Sequence, residues 1–112
     1  MVMRADAEPN AAYSPVFGPY PGWSARFLGM GSDNRPRLLW ENLDGRVSLW
    51  TMDQAAQGPE TVADFGPYAN EGWSVGDMAV GSDNRIRVLW KNTSGQISLW
   101  KMNAEGNTFE QV

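Results

Sequence analysis

The 112-residue chain contains neither cysteine nor histidine. Their absence excludes a disulfide frame, a thiol nucleophile, a Ser-His-Asp triad and a zinc site of the usual nitrogen and sulfur kind. Positive charge is also scarce, because nine Lys and Arg stand against 13 Asp and Glu, for a net charge of −4. Binding to a phosphate backbone needs clustered positive charge, so nucleic acid is not an expected partner.

Long apolar runs are missing as well. The stretch from Met1 to Pro9 has no apolar segment long enough for a signal peptide. No later stretch approaches the roughly 20 apolar residues of a membrane-spanning helix. We therefore expect a soluble chain with no membrane partner, and the sequence leaves its compartment unknown.

Six tryptophans and twelve glycines stand out in what is present. Short apolar runs alternate with Gly, Asn, Asp and Pro, which is typical of many short strands joined by tight turns. The sequence also repeats itself with a period of about 50 residues. Four short segments occur twice: FGPY at 17–20 and 65–68, GWS at 22–24 and 72–74, GSDNR at 31–35 and 81–85, and SLW at 48–50 and 98–100.

Over half of the paired positions between Phe17 and Met52 are identical, so the chain contains a duplication. A shorter match relates Ala7 to Val16 with Ala104 to Val112. The chain therefore divides into a partial repeat at 1–16, a first blade repeat at 17–64 and a second at 65–112.

Each repeat contains four strand candidates. They lie at 24–30, 35–42, 46–52 and 60–65, and at 75–80, 85–92, 96–102 and 108–112, with 13–17 as a further counterpart of the fourth strand. The GSDNR segments supply the side-chain hydrogen bonds and positive φ of tight turns, and Asp44-Gly45 and Ser94-Gly95 are hairpin signals.

Both faces of the predicted strands are apolar. Ile86, Val88 and Trp90 fall on one face of their strand and Leu89 falls on the other. A strand that is apolar on both faces belongs to a sheet covered on both sides. The predicted fold is therefore all-β, with two four-stranded antiparallel β-propeller blades per chain.

The residues of the repeat resemble those of known propellers. The Gly-Trp opening, the Leu-Trp and Ser-Leu-Trp strands and the Asp-Gly hairpin are similar to the Trp-rich blades of bacterial propeller proteins and of lectin-like propellers of the tachylectin and tectonin type. The two-blade layout is also similar to that of the fucose-binding lectin of Ralstonia type, which forms a six-bladed ring as a trimer. The sugar-contacting motif of that lectin is not visible here, so the resemblance does not name a sugar.

Two blades alone leave a broad apolar face on each outer side, and exposed patches of that kind normally mark an interface. We expect the chain to associate with itself head to tail and close into a ring, with a six-bladed homotrimer favoured. A dimer with four blades and a tetramer with eight remain open. So does the excision of these two repeats from a longer array.

Candidate ligand-binding residues cluster at one end of each blade. Aromatic rings stack on the apolar faces of sugars, and loops held on a rigid scaffold concentrate binding residues. Trp23 and Trp73 each follow a Gly-Pro-Tyr loop, and the loop after the second strand lies at the same end. The predicted ligand-binding residues are Tyr20, Trp23, Asn42, Arg46, Tyr68, Trp73, Asn92 and Gln96.

Other conspicuous residues are interpreted as structural. Four tryptophans inside strands, namely Trp40, Trp50, Trp90 and Trp100, are assigned to the blade core. Asp33, Asn34, Asp83 and Asn84 are assigned to turn chemistry, because nothing follows the spacing of an EF-hand calcium loop. No phosphate-binding glycine loop and no identifiable carboxylate pair is present. We expect no enzyme activity, no metal and no cofactor.

These patterns favour a carbohydrate-binding module with several shallow sites at blade seams. The alternative is a non-catalytic scaffold, natural or engineered, that only assembles or binds proteins. Fold alone does not separate them.

Overall fold

The computed structural model describes residues 16–111, and its regular secondary structure is almost entirely β-strand. The eight strands are β1 (Trp23–Met30), β2 (Pro36–Asn42), β3 (Val47–Met52), β4 (Pro59–Phe65), β5 (Trp73–Val80), β6 (Ile86–Asn92), β7 (Ile97–Met102) and β8 (Phe109–Gln111). A short 3-10 helix at Ala69–Glu71 precedes β5. These strands lie where the sequence predicts them. Of the further strand proposed at 13–17, the first three residues lie outside the described part, and Val16 and Phe17 are not in a strand.

The strands form two four-stranded antiparallel sheets in the orders β1-β2-β3-β4 and β5-β6-β7-β8. The prediction of an all-β chain with one such sheet per repeat is therefore confirmed. We call them sheet 1 and sheet 2. Each consecutive pair of strands is joined by a tight connection, which is the simplest antiparallel arrangement.

The GSDNR segments form equivalent turns between the first and second strands of each sheet. Asn34 and Asn84 have positive φ values of 62° and 64°, a conformation that asparagine tolerates better than most residues. The carboxylate of Asp33 accepts hydrogen bonds from the backbone N–H of Arg35 and from the Arg37 guanidinium, at 2.9 and 2.6 Å. These side chains close the turns, as turn chemistry predicts.

The core lies between the sheets, with β1 packed beside β5. Sheet 1 contributes the inward side chains of Leu39, Val47 and Leu49, each no more than 1 % exposed. The main contributors from sheet 2 are Val75, Met78, Ile86, Val88, Trp90, Trp100 and Met102. One face of each sheet is therefore buried against the other sheet.

The opposite faces of both sheets are open in the single chain. Leu28, Met30 and Val62 on sheet 1 are 65 %, 55 % and 51 % exposed, and Ile97 and Leu99 on sheet 2 are 64 % and 49 % exposed. The sequence predicts strands covered on both sides. The chain by itself covers one side.

Candidate functional site

Each repeat forms one cleft lined mainly by aromatic side chains. The first has a volume of about 210 Å³ and is lined by Tyr20, Trp23, Trp40, Ser48, Trp50, Val62 and Asp64. The second has a volume of about 260 Å³ and is lined by Tyr68, Glu71, Trp73, Trp90, Ser98, Trp100 and Phe109. We call them cleft 1 and cleft 2.

The paired tryptophans at the back of each cleft follow from strand register. In sheet 1, Trp40 lies opposite Ser48 and Leu38 lies opposite Trp50, so the two indoles are diagonal neighbours on one face. Their ring centroids are 5.2 Å apart. The equivalent indoles of Trp90 and Trp100 in sheet 2 are 5.0 Å apart.

The FGPY loops close one end of each cleft. In cleft 1, the Tyr20 ring meets the Trp40 and Trp50 rings edge to face, with centroids 5.6 and 5.9 Å apart. In cleft 2, Tyr68 meets Trp90 and Trp100 with centroids at the same two distances, 5.6 and 5.9 Å. Such edge-to-face contacts fix the orientation of both rings. The duplicated residues therefore build two nearly identical aromatic walls.

A few polar groups interrupt these aromatic walls. A carboxylate lines each cleft, from Asp64 at the end of β4 in cleft 1 and from Glu71 in cleft 2. The indole N–H groups of Trp40 and Trp90 are buried without a hydrogen-bond partner among the described residues. A buried donor without a partner is uncommon, and these two N–H groups are not accessible from the clefts.

The predicted tyrosines and tryptophans all line the clefts: Tyr20 and Trp23 in cleft 1, and Tyr68 and Trp73 in cleft 2. Trp23 begins β1 directly opposite Asn42. The Arg46 guanidinium lies over the Trp23 ring, 5.3 Å from its centroid, and pairs with Asp44. Arg46 therefore packs on Trp23 but does not itself line the cleft.

The other predicted polar residues organise the hairpin beside each cleft. Asn42 and Asn92 accept hydrogen bonds from the backbone N–H groups of Asp44 and Ser94, at 3.1 and 2.9 Å. The Asn92 amide also donates to the Glu71 carbonyl at 2.9 Å, and Gln96 accepts from the Ser94 hydroxyl. These amides lie at the predicted end of the sheets but are not among the cleft-lining side chains.

Several lining residues are not among the predicted ligand-binding set. The sequence pattern assigns Trp40, Trp50, Trp90 and Trp100 to the core, and in the structure they both pack together and line the clefts. Their spacing in neighbouring strands is the signal that could indicate this shared face. Asp64, Glu71 and Phe109 have no comparable signal, since their positions depend on β4, the 3-10 helix and β8.

The turn carboxylates are held by arginine. The Arg37 guanidinium, with help from the Arg35 backbone N–H, lowers the pKa of Asp33 below its ordinary value of 3.8. The Arg87 guanidinium likewise lowers the pKa of Asp83. Within residues 16–111, no group of three or more acidic side chains is placed to hold a metal ion. No helix in this range is long and apolar enough to cross a membrane.

Comparison with protein-family models, with curated proteins and with solved structures found no match to this chain. The clefts themselves are therefore the basis for a functional proposal.

Proposed function

We propose that the chain is a non-catalytic carbohydrate-binding module with one shallow site per repeat. The observation that carries this proposal is the duplicated cleft, in which Trp and Tyr rings surround a single carboxylate. Pyranose sugars present apolar C–H faces that stack on aromatic rings and hydroxyl groups that need polar partners. Both kinds of partner are present in each cleft.

In cleft 1, the Trp23 ring supplies an apolar surface and the Asp64 carboxylate is an acceptor for sugar hydroxyl groups. Trp73 and Glu71 supply the same two functions in cleft 2. Few polar groups in a shallow cleft favour weak binding at each site, and several equivalent sites on one rigid body raise the avidity.

The two sheets are proposed to be β-propeller blades that close into a ring as a six-bladed homotrimer. Support comes from the four-stranded antiparallel order in each repeat and from the face-to-face stacking of the sheets. Cleft 2 then lies at the seam between the two blades of one chain. A dimer would give four blades and a tetramer eight.

The proposal is tested by Trp23→Ala and Trp73→Ala, alone and together, on an array of immobilised glycans. We expect saturable, sugar-competed binding by the unchanged protein, weakening in each single variant and loss in the double variant. Leu43→Ala is the control, because Leu43 is 91 % exposed and lines neither cleft. The native mass of each variant is measured in parallel.

Loss of binding at unchanged mass supports the proposed sites. Binding that survives the double substitution contradicts them. Loss of assembly in the same variants assigns both tryptophans to packing, and an array that shows no binding by the unchanged protein removes the proposal.

The second candidate is a scaffold that assembles or binds proteins without a sugar ligand. It is favoured by the packing inside cleft 2, where the Phe109 ring stacks flat on Trp100, with centroids 3.8 Å apart and planes 2° apart. Phe109 thus occupies an aromatic face that a sugar ring would otherwise use. No binding to the glycan array, together with retained assembly, would favour this candidate.

A further inference from the structure

We infer that a second copy of this chain covers the open apolar faces, with the open face of sheet 2 docked on the open face of sheet 1 of its neighbour. The packing between the two sheets within one chain is the template for this contact. Because the repeats are offset by 50 residues over most of their length, each buried residue has an identifiable equivalent on an open face. The inference concerns the partner in the proposed ring and does not depend on sugar binding.

The open face of sheet 2 repeats the buried face of sheet 1. Leu39, Val47 and Leu49 are buried against sheet 2, and their equivalents are Leu89, Ile97 and Leu99. All three equivalents are apolar and lie on the same face, since Leu89 pairs with Leu99 and Lys91 pairs with Ile97 across the strands. The open face of sheet 2 therefore carries the same kinds of side chains as the buried face of sheet 1.

The open face of sheet 1 repeats the buried face of sheet 2 in the same way. Met78, Val80, Ile86 and Val88 pack toward sheet 1, and their equivalents are Leu28, Met30, Pro36 and Leu38. These four equivalents line an apolar groove of about 410 Å³. The two open faces thus carry the equivalents of the two faces that pack together within the chain.

The hydrogen bonds between the two sheets can also form between copies, because the equivalent donors and acceptor are present. Ser32 donates to the side-chain oxygen of Asn84 at 2.9 Å, and Arg37 donates to the Asn84 carbonyl at 3.3 Å. The equivalents of the donors are Ser82 and Arg87, and Asn34, the equivalent of Asn84, lines the open groove. Side-chain exposure is 4 % for Arg37 and 36 % for Arg87, as expected if only Arg37 has its neighbouring sheet in place.

One tight contact between the sheets involves Gly29 and Val80, and both residues differ in the equivalent contact between copies. A methyl group on Gly29 would lie 2.7 Å from the branched side chain of Val80. The equivalent contact between copies places Ala79 against Met30. Ala79 is larger than Gly29 by a methyl group. Met30 is unbranched and flexible, unlike Val80, so its side chain can adapt to that methyl group.

The neighbouring copy also places a hairpin beside cleft 1. Within the chain, Gly45 of the β2–β3 hairpin packs against Ala69, next to the FGPY loop of cleft 2. A methyl group on the equivalent Gly95 would have no atom within 4 Å, and cleft 1 has no hairpin beside its own loop among the described residues. Docking of a copy brings Gly95 to the loop that follows Tyr20, so the loop of cleft 1 gains the neighbouring hairpin that the loop of cleft 2 already has.

The largest chemical departure from the template is at Asp77, which stands where the buried face of sheet 1 has Phe27. The contact between copies therefore has a carboxylate where the contact within the chain has an aromatic ring. The pairing of two different faces is head to tail, and such contacts close into rings when the rotation allows.

The docking is tested with two variants that each block one face. Leu28→Glu places a charge on the open face of sheet 1, and Leu99→Glu places one on the open face of sheet 2. Both residues are about half exposed or more, so each variant is expected to keep its fold, which is checked by near-ultraviolet circular dichroism. Leu43→Glu is the matched control, because Leu43 is 91 % exposed and lies on neither face.

We expect the unchanged protein and Leu43→Glu to be oligomeric in light scattering, and each blocked variant to be a monomer of 12.4 kDa. An equimolar mixture of the two blocked variants retains one complementary pair of faces. It should therefore form a dimer of about 25 kDa, two chains of 12.4 kDa, that neither variant forms alone.

Blocked variants that keep the mass of the unchanged protein would overturn the inference. So would a mixture of folded blocked variants that stays monomeric, or an unchanged protein that is monomeric at every concentration. A failure of glycan binding leaves all these results unaffected, so the two proposals fail separately.

Discussion

The paired arginine and aspartate residues of the turns show how equivalent side chains come to differ. Arg37 and Arg87 bind Asp33 and Asp83 with nearly the same geometry, at 2.6 and 2.5 Å. Only Arg37 is buried, because the turn of sheet 2 covers it and accepts a further hydrogen bond. Exposed ion pairs contribute little to stability, so the Arg37 pair should matter more to the fold of the single chain.

The lowered pKa of Asp33 makes this contribution depend on pH. A carboxyl whose pKa is lower in the folded state stabilises the fold fully above its ordinary value of 3.8, and that contribution is lost as the pH falls through the folded value. We expect the urea midpoint to fall as the pH is lowered below 3.8, and to fall less in Asp33→Asn. The stability difference between the two proteins should shrink toward the acid end.

Urea unfolding followed by tryptophan fluorescence at several pH values measures this effect. Asp64→Asn serves as the control, since its carboxylate forms no ion pair in the part of the chain that the structure describes. An Asp33→Asn protein as acid-sensitive as the unchanged one would show that the turn carboxylate does not contribute.

Among the elements, the β2–β3 and β6–β7 hairpins are identical in backbone and different in surroundings. Gly45 and Gly95 both have φ of +92°, where any other residue is strained. A methyl group on Gly45 would also lie 2.6 Å from the Ala69 side chain, whereas one on Gly95 meets nothing in the chain. Substitution of these two glycines therefore distinguishes backbone strain, which both positions share, from steric conflict, which only Gly45 has within the chain.

When both glycine substitutions are made in the Leu99→Glu background, where no neighbouring copy docks on the second hairpin, we expect Gly95→Ala to lower the free energy of unfolding by about 1 to 2 kcal/mol through the left-handed conformation alone. Gly45→Ala should cost more, because the hairpin must also move away from Ala69. Chemical denaturation of both variants measures the difference. Equal losses would contradict the packing described between the first hairpin and the second repeat.

The strands and turns were predictable because their determinants are local. Short apolar runs define β2 and β6, and the GSDNR segments and the Asp44-Gly45 pair define where the chain reverses. The duplication then indicates one sheet per repeat. The lining of the clefts by Asp64 and Glu71 was not predictable, because it depends on how β4 and the loop before β5 pass the tryptophans.

The last strand illustrates the same limit. Strand β4 has a register shift opposite Met52, but β8 pairs with β7 without one, so Phe109 lies directly opposite Met102. A one-residue change in register turns side chains to the other face of a sheet. The stacking of Phe109 on Trp100 follows from this pairing and has no counterpart among the described residues of the first repeat.

At the scale of the whole molecule, the chain buries one face of each sheet and leaves the opposite face of each open. A chain of this size has no disulfide and, among its described residues, no metal cluster to offset the exposed apolar surface. The proposed head-to-tail association would cover both faces with contacts of a kind that the chain already contains. The proposed ring and its blade count both depend on this association.

The native mass in solution, measured by light scattering coupled to size exclusion over a range of protein concentrations, tests this claim most directly. We expect about 37 kDa, three chains of 12.4 kDa, in a closed ring with six blades. A mass of two or four chains would still agree with the proposed docking but would give a ring of four or eight blades. A compact monomer of 12.4 kDa at every concentration would contradict the account, because both apolar faces would then remain uncovered.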